Sequence, residues 1–404
     1  MDLQSGYPFS LVRYGLPYQY PKLGRDVRTD VVIIGGGISG ALSAYALTNA
    51  GISCVVVDAR TIGLGSTSAS TSLLQYEVDT PLVELIPKVG VRIAEAAYTL
   101  GAATIAELAD ICRDVNCAQY ERKESLYLAS YKKDVAMIRA EYAARKALGL
   151  KVELWEAEDV AAYMGFESPA GIYSHTAAQT DAYMLTHALH QYNLRQGVEV
   201  YDRTQVTGVE CKRRVKVHTA EGYTLSSKYL IVATGYEAMQ YIQEPVLRLH
   251  STYAMVSEHM SQGDFWHRNC LIWETKEPYQ YLRTTSDNRL LIGGRDEPFY
   301  NPARRDRLLV SKCRQLRADF HQKFPHLPFE PEFRWTGTFG VTEDGLPYIG
   351  SYRRMPHTFF ALGFGGNGIT FSQMAANIIR DLILGKRNKY ADMFGFERGR
   401  RIRS

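Results

Sequence analysis

No apolar run in this sequence approaches the roughly 20 residues that cross a bilayer as a helix, so an integral membrane segment is not expected. Paired cysteine motifs are missing as well. The six cysteines, Cys54, Cys112, Cys117, Cys211, Cys270 and Cys313, form no C-x-x-C, and no histidine lies near Cys112 and Cys117 to complete a metal site. No metal is therefore expected, and buried free thiols in a reducing compartment are the simpler reading. An excess of one charge is absent too. Net charge is +4, too small to mark a nucleic-acid-binding surface. Basic residues gather only at Arg398, Arg400, Arg401 and Arg403, which read as a solvated tail. There is no internal repeat, which excludes a solenoid, and no low-complexity linker. Met1 to Asp30 holds no apolar core of a signal peptide, so the expected setting is the cytoplasm.

What is present is a chain of 404 residues, 46% hydrophobic and 22% charged, enough for a sizeable core and two or three domains. Its densest pattern is Thr29 to Asp58. Val31 to Ile34 has the length and composition of a buried strand. Gly35, Gly37 and Gly40 follow as G-x-G-x-x-G, and Ile38, Ala41, Leu42, Tyr45 and Ala46 then recur at helical spacing. Gly51 predicts a C-cap, Cys54 to Val57 a second strand, and Asp58 stands at its end. Gly35 permits a tight turn, Gly37 lets backbone approach a pyrophosphate, and Gly40 lets helix pack on strand. The helix start offers free N–H groups to phosphates, and Asp58 is placed to accept from a ribose. The pattern predicts a bound dinucleotide without saying which one.

Residues 1–28, rich in Tyr, Pro and Gly, read as an extended arm over the body or toward a partner. Ala59 to Ser72 reads as a loop whose N–H and hydroxyl groups face phosphates or a flavin edge. Pro81 to Val115 predicts one or two long helices, Tyr120 to Ala129 a strand, and Lys132 to Leu148 a helix. Asp181 caps a helix that Gly197 ends. Lys228 to Gly235 is a buried strand returning to the dinucleotide unit. His250 to Ser257, Tyr279 to Thr284 and Arg289 to Gly293 predict an antiparallel sheet in a second unit, and Pro302 to Phe324 an amphipathic helix.

Near the C-terminus come W-T-G-T-F-G-V-T-E-D-G-L-P-Y-I-G from Trp335, a strand at Thr358 to Leu362, and Gly363 to Thr370, which opens a helix. Such a helix start beside glycines would stabilise negative charge on a reduced flavin ring. Gly35/Gly37/Gly40 with Asp58, Gly65-Ser66-Thr67-Ser68, Ala233-Thr234-Gly235, Asp344-Gly345-Leu346-Pro347 and Gly363 to Thr370 occur in an order that resembles the D-amino-acid oxidase-like (DAO) family of flavoproteins. That family includes glycine, sarcosine and gamma-glutamylputrescine oxidases.

The resemblance implies an α/β fold. A Rossmann-like FAD-binding domain of discontinuous segments (29–80, 150–240 and 335–404) would hold an inserted α+β substrate domain (81–149 and 241–334) built on an antiparallel sheet. It implies oxidation of a C–N bond by hydride transfer from an amine or amino acid to flavin N5, with oxygen or another acceptor taking the electrons. FAD would sit against Gly35, Gly37, Ile38, Ser39, Gly40, Asp58, Ala59, Arg60, Gly65, Ser66, Thr67 and Ser68. Val206, Ala233, Thr234, Gly235 and Gly337 would add to this shell, with Gly363, Gly365, Gly366, Asn367, Gly368, Ile369 and Thr370. The chain departs from the family at three points. Phe339 stands where glycine-oxidase-like members carry an arginine for the substrate carboxylate. Leu290 to Gly293 lacks the lysine that activates oxygen in sarcosine-oxidase-like members. The cysteine that tethers flavin in that subgroup has no match, so FAD is expected to be non-covalent. Arg295, at a strand end, is a candidate to hold an anionic group. Tyr253 and Tyr281 are candidates for the pocket, with Tyr279, His250 and Lys276 on the same sheet or its loops. The fingerprint alone also admits a NAD-dependent dehydrogenase, and the arm admits a flavin-retaining binding protein.

Overall fold

The protein is described by a computed structural model, which covers residues 1–261 and 265–398. At its centre is the strand Val31–Ile34, every residue of it buried. It pairs in parallel with Cys54–Val57 on one side and with Tyr229–Val232 on the other. Glu199–Tyr201 and the hairpin Tyr348–Tyr352/Met355–Leu362 complete a six-stranded sheet. Both faces of this sheet are covered, so its strands read as continuous apolar runs without alternation. On one face Val31, Ile33, Val56 and Ile231 pack under the helices Ile38–Thr48, Ala182–Arg195 and Gly368–Ile383. On the other, Val32, Ile34, Val55, Val57, Leu230 and Val232 meet Val215, Val217 and Leu225 of a small four-stranded sheet. Each such side chain contributes ~1.5–3 kcal/mol on burial, which makes this three-layer stack a stable platform.

The second body is a ten-stranded, mostly antiparallel sheet. Arg248–Ser257, Leu290–Glu297, Gln280–Thr284 and Pro331–Val341 form its middle. The helix Pro302–Lys323 covers one side through Cys313, Leu316 and Phe320. Asn301 caps that helix, its Oδ1 accepting from Arg304 N at 2.9 Å, and Pro302 opens it, where a missing N–H costs nothing.

Several elements differ from the sequence expectation. The helices Leu82–Val89 and Val91–Asp114 were expected with the substrate sheet. They instead share the core beside the fingerprint helix, because Leu85, Ala97, Ile105 and Leu108 find their apolar partners there. Val152–Glu156 and Ala170–Gln179, expected with the dinucleotide unit, are strands of the large sheet. The arm at 1–28 is not wholly extended. Gln4–Gly6 pairs with Pro331–Val341, and Phe9–Tyr14 is a helix whose Phe9 stacks edge-on against Phe333 at 5.2 Å. Of its tyrosines Tyr20 is buried, while Tyr7 and Tyr18 stay exposed. Arg398 is no solvated tail residue: it is buried, paired with Asp344 at 2.8 Å and bonded to the carbonyls of Leu346 and Pro347. The remaining tail arginines lie outside the described residues. All six cysteines are free, and five are buried. Among the described residues no helix is long and apolar enough to cross a membrane, and no cluster of His, Cys, Asp and Glu could hold a metal ion.

Candidate active site

The two bodies enclose a cavity of about 590 Å³. One end is built from backbone. Gly35 has φ +109°, and a Cβ there would lie 2.4 Å from the Ala233 carbonyl oxygen. At Gly40 a Cβ would lie 1.8 Å from the Gly35 oxygen, and at Gly37 it would lie 2.8 Å from Thr67 Oγ1. None of the three positions accepts a side chain without displacing its neighbours. Ile38 N donates to Thr67 Oγ1 at 3.1 Å, which fixes the serine- and threonine-rich loop against the helix start. Asp58 accepts from Gly36 N at 2.7 Å and Arg60 N at 2.8 Å, so its carboxylate is pinned at the end of its strand. His190 Nε2 lies 2.9 Å from the Gly36 oxygen, and burial lowers its pKa to about 4. It is therefore neutral, and donates.

The second helix start arrives from far along the chain. Ser39 and Ser372 hydroxyls lie 2.7 Å apart and join the helices Ile38–Thr48 and Gly368–Ile383. Asn367 Nδ2 donates to the carbonyls of Gln75 (3.1 Å) and Glu77 (2.8 Å), and Gly366 N donates to Asp79 Oδ2 at 3.0 Å. The segment at 75–79 is anchored from beneath by a fully buried ion cluster. Arg145 Nε meets Glu141 Oε1 at 2.7 Å and its Nη1 meets Glu77 Oε1 at 3.2 Å. Tyr76, Tyr98 and Tyr127 surround the guanidinium at 5.5–5.8 Å. Glu141 also accepts from Leu82 N and Val83 N, capping a helix from a distance.

The cavity is lined by Gly35, Gly37, Ile38, Ser39, Asp58, Ala59, Arg60, Gly65, Ser66, Thr67, Val206, Ala233, Thr234 and Gly235. Toward the sheet, Gly337, Gly363, Gly365, Gly366, Gly368 and Ile369 also line it, together with Tyr253, Tyr279 and Tyr281. Four expected cofactor residues sit just behind the wall. Gly40 is the helix–strand contact, and Ser68 Oγ bonds the Gly65 carbonyl at 3.2 Å. Asn367 holds the segment at 75–77, and Thr370 Oγ1 reaches the Gln75 carbonyl at 3.5 Å.

Arg295 corrects the sequence expectation. It does not line the cavity, and both Nε and Nη2 bind Asp319 of the covering helix at 2.7 and 2.5 Å. The physical reason is local. The pairing of Arg248–Ser257 with Leu290–Glu297 slips in register between Ser251 and Tyr253, and Gly294 and Arg295 both take positive φ. Arg295 therefore turns toward the helix, and the next residue, Asp296, reaches the cavity instead. His250 and Lys276 are also absent from the wall; His250 packs its ring on Phe339, which does line it.

Tyr253 has its hydroxyl buried without a partner among the described residues, and burial raises its pKa to about 12. Tyr279 donates to Asp79 Oδ1 at 3.1 Å. Burial lifts the Tyr281 hydroxyl to about 12 as well. Burial also raises the pKa of Asp79 despite its two hydrogen bonds. Asp296 and Asp79 escaped the sequence reading. The available signal was weak: Asp296 stands between Arg295 and Glu297 after Gly293-Gly294, and Asp79 closes the mixed stretch Leu73 to Val78, which already holds Gln75 and Glu77.

These residues fit a dinucleotide flavin on the structure's own terms. Two helix starts carry no side-chain cap, glycines stand where any Cβ would collide, and a carboxylate closes the ribose strand. None of the cysteines lines the cavity. Comparison with known proteins agrees. A family model described as FAD dependent oxidoreductase (DAO) matches residues 30–382. Gamma-glutamylputrescine oxidoreductase of Escherichia coli (strain K12) is 26% identical over 92% of this chain and 87% of its own. Glycine oxidase of Geobacillus kaustophilus is 25% identical over 93% of this chain and 98% of its own. In structure, L-proline dehydrogenase from P. horikoshii superimposes with a TM-score of 0.77 at 20% identity, covering 93% of this chain and 99% of that one, which speaks for the fold.

Proposed function

The chain belongs to the DAO family of FAD-dependent oxidoreductases, and from that premise we propose that it oxidises the C–N bond of an amine or amino acid to an imine, which water hydrolyses. The cofactor is FAD, and the NAD reading that the fingerprint alone admitted is displaced. The observation that carries the proposal is a single cavity running from the glycine loop to the tyrosines of the large sheet. Bound at the glycine end, FAD supplies the two-electron acceptor. The chain's own contribution is chiefly orientation. Backbone N–H groups of two helix starts hold charge, and Tyr253, Tyr279 and Tyr281 wall the space where a small molecule would lie. Among the described residues that wall holds no serine–histidine or cysteine–histidine pair, as expected for chemistry that works by positioning. The relatives' names span an amine and an amino acid, so both substrate kinds enter the test.

The test is anaerobic. The purified yellow protein is mixed with a panel of amines and amino acids, and bleaching of flavin absorbance is followed before air is admitted. Bleaching by at least one class is expected, and a flavin that none of them reduces overturns the reading. Rapid return of colour in air assigns oxygen as acceptor, and slow return assigns another acceptor.

A further inference from the structure

At the sheet end the cavity presents Thr252, Tyr253, Tyr279, Tyr281 and Asp296. Among the described lining residues the one arginine or lysine is Arg60, at the opposite end, and Glu237 holds both of its terminal nitrogens at 2.8 Å. Asp296 has no such partner. Its Oδ1 is buried and makes no hydrogen bond among the described residues, while a bond to the Thr252 side chain favours its charged form. The charged groups that bear on it come from three directions. Asp79 and Glu277 add negative charge from the loops before the helix Leu82–Val89 and before the strand Gln280–Thr284. Lys312 of the covering helix adds positive charge but is already paired with Glu297. Its neighbour Arg295 is spent on Asp319. Tyr253, Tyr279 and Tyr281 face it with neutral hydroxyls. A buried carboxylate with an unused lone pair is unfavourable and is relieved either by taking a proton or by meeting a cation.

We propose that Asp296 receives the ammonium group of a cationic amine, and that the substrates are amines with no carboxylate on the reacting carbon. This rests on the oxidation reading above and names its substrate class. A carboxylate brought to the same place would meet Asp296, with Asp79 and Glu277 behind it, and no guanidinium to hold it. Asp296 also has chemistry to offer. Burial pushes its carboxyl up to about 7, close enough to the working pH to exchange protons with a bound amine. The ammonium N–H bond breaks, its proton passes to the carboxylate oxygen, and the amine keeps the lone pair that oxidation at the adjacent carbon needs.

The test uses the FAD-loaded protein and two inert probes. tert-Butylamine has no hydrogen on the carbon bearing nitrogen and cannot be oxidised; pivalate is its anionic counterpart. Calorimetry should show tert-butylammonium binding and no pivalate binding. Affinity should rise with pH through about 7, as Asp296 ionises, and hold until the amine itself loses its charge near roughly pH 10. Asp296→Asn should weaken binding by roughly tenfold or more and flatten the pH profile, with flavin content unchanged, while Asp296→Glu restores part of it. Equal binding by Asp296→Asn, a pH-independent parent, or preference for pivalate overturns the proposal. Asp296-dependent cation binding in a protein whose flavin no amine reduces would keep this site and sink the oxidation reading; amine oxidation untouched by Asp296→Asn would do the reverse.

Discussion

The two ends of the cavity recognise by opposite means. At the glycine end the wall is backbone, and each nearby charge is matched: Asp58 by two N–H groups, Arg60 by Glu237. At the sheet end the wall is side chains from several strands, and one buried oxygen of the Asp296 carboxylate makes no hydrogen bond among the described residues. The difference follows from the task. A cofactor's phosphates are constant, so rigid N–H groups can meet them. A substrate is selected by its particular charge and shape, which only side chains can mirror.

The harshest way to break this contrast is to add atoms to the backbone wall. Gly40→Ala places a methyl group 1.8 Å from the Gly35 oxygen, so flavin retained per chain should fall to near zero in the purified protein. Full retention would show that the helix and strand can separate at little cost. Next comes the support of the side-chain wall. Arg145→Met leaves Glu77 and Glu141 buried without their cation and should cost about 3–5 kcal/mol in urea unfolding. A loss under about 1 kcal/mol would mean that water reaches the cluster.

A subtler contrast lies in pH. His190, at the glycine end, is held near 4 by burial, so the unfolded chain binds its proton first and stability falls as pH drops from about 6.5 toward 4. Asp296, at the sheet end, is raised from 3.8 to about 7, so the native state binds the extra proton and stability falls as pH rises across that interval. Each effect is on the order of 2–4 kcal/mol at most. His190→Gln should flatten the acid limb of a melting-temperature profile, and Asp296→Asn the limb below neutral pH. Profiles parallel to the parent would remove the opposition between the two ends. The smallest expected effect is a gain. Phe339→Arg puts a guanidinium on the wall and should shift the bleaching rate toward carboxylated amines by about tenfold, or about 1.4 kcal/mol.

The same contrast explains what the sequence made legible. Gly35, Gly37, Gly40 and Asp58 act through fixed spacing along one strand–helix–strand unit, so their roles could be read from order alone. The caps at Asp181 and Asn301 are equally local. Arg295 and Asp296 are adjacent, and choosing between them required knowing a register slip between two strands about forty residues apart. Asp79 meets Tyr279 only because the turn at Gly366, nearly three hundred residues on, holds the other oxygen of its carboxylate. The helices from Leu82 to Asp114 showed their apolar stripe clearly, but a stripe does not name the surface it seeks.

The hydroxyl contact between Ser39 and Ser372 has a consequence for how the protein is made. A ribosome delivers the fingerprint helix more than three hundred residues before the helix that faces it. The strand Val31–Ile34 waits for Tyr229–Val232, and that strand for Met355–Leu362, before its sheet can close. Flavin loading therefore waits until the helix Gly368–Ile383 has been made. By mass action, cofactor that binds only the folded chain should then stabilise it, so cofactor supply and lifetime of the protein are linked.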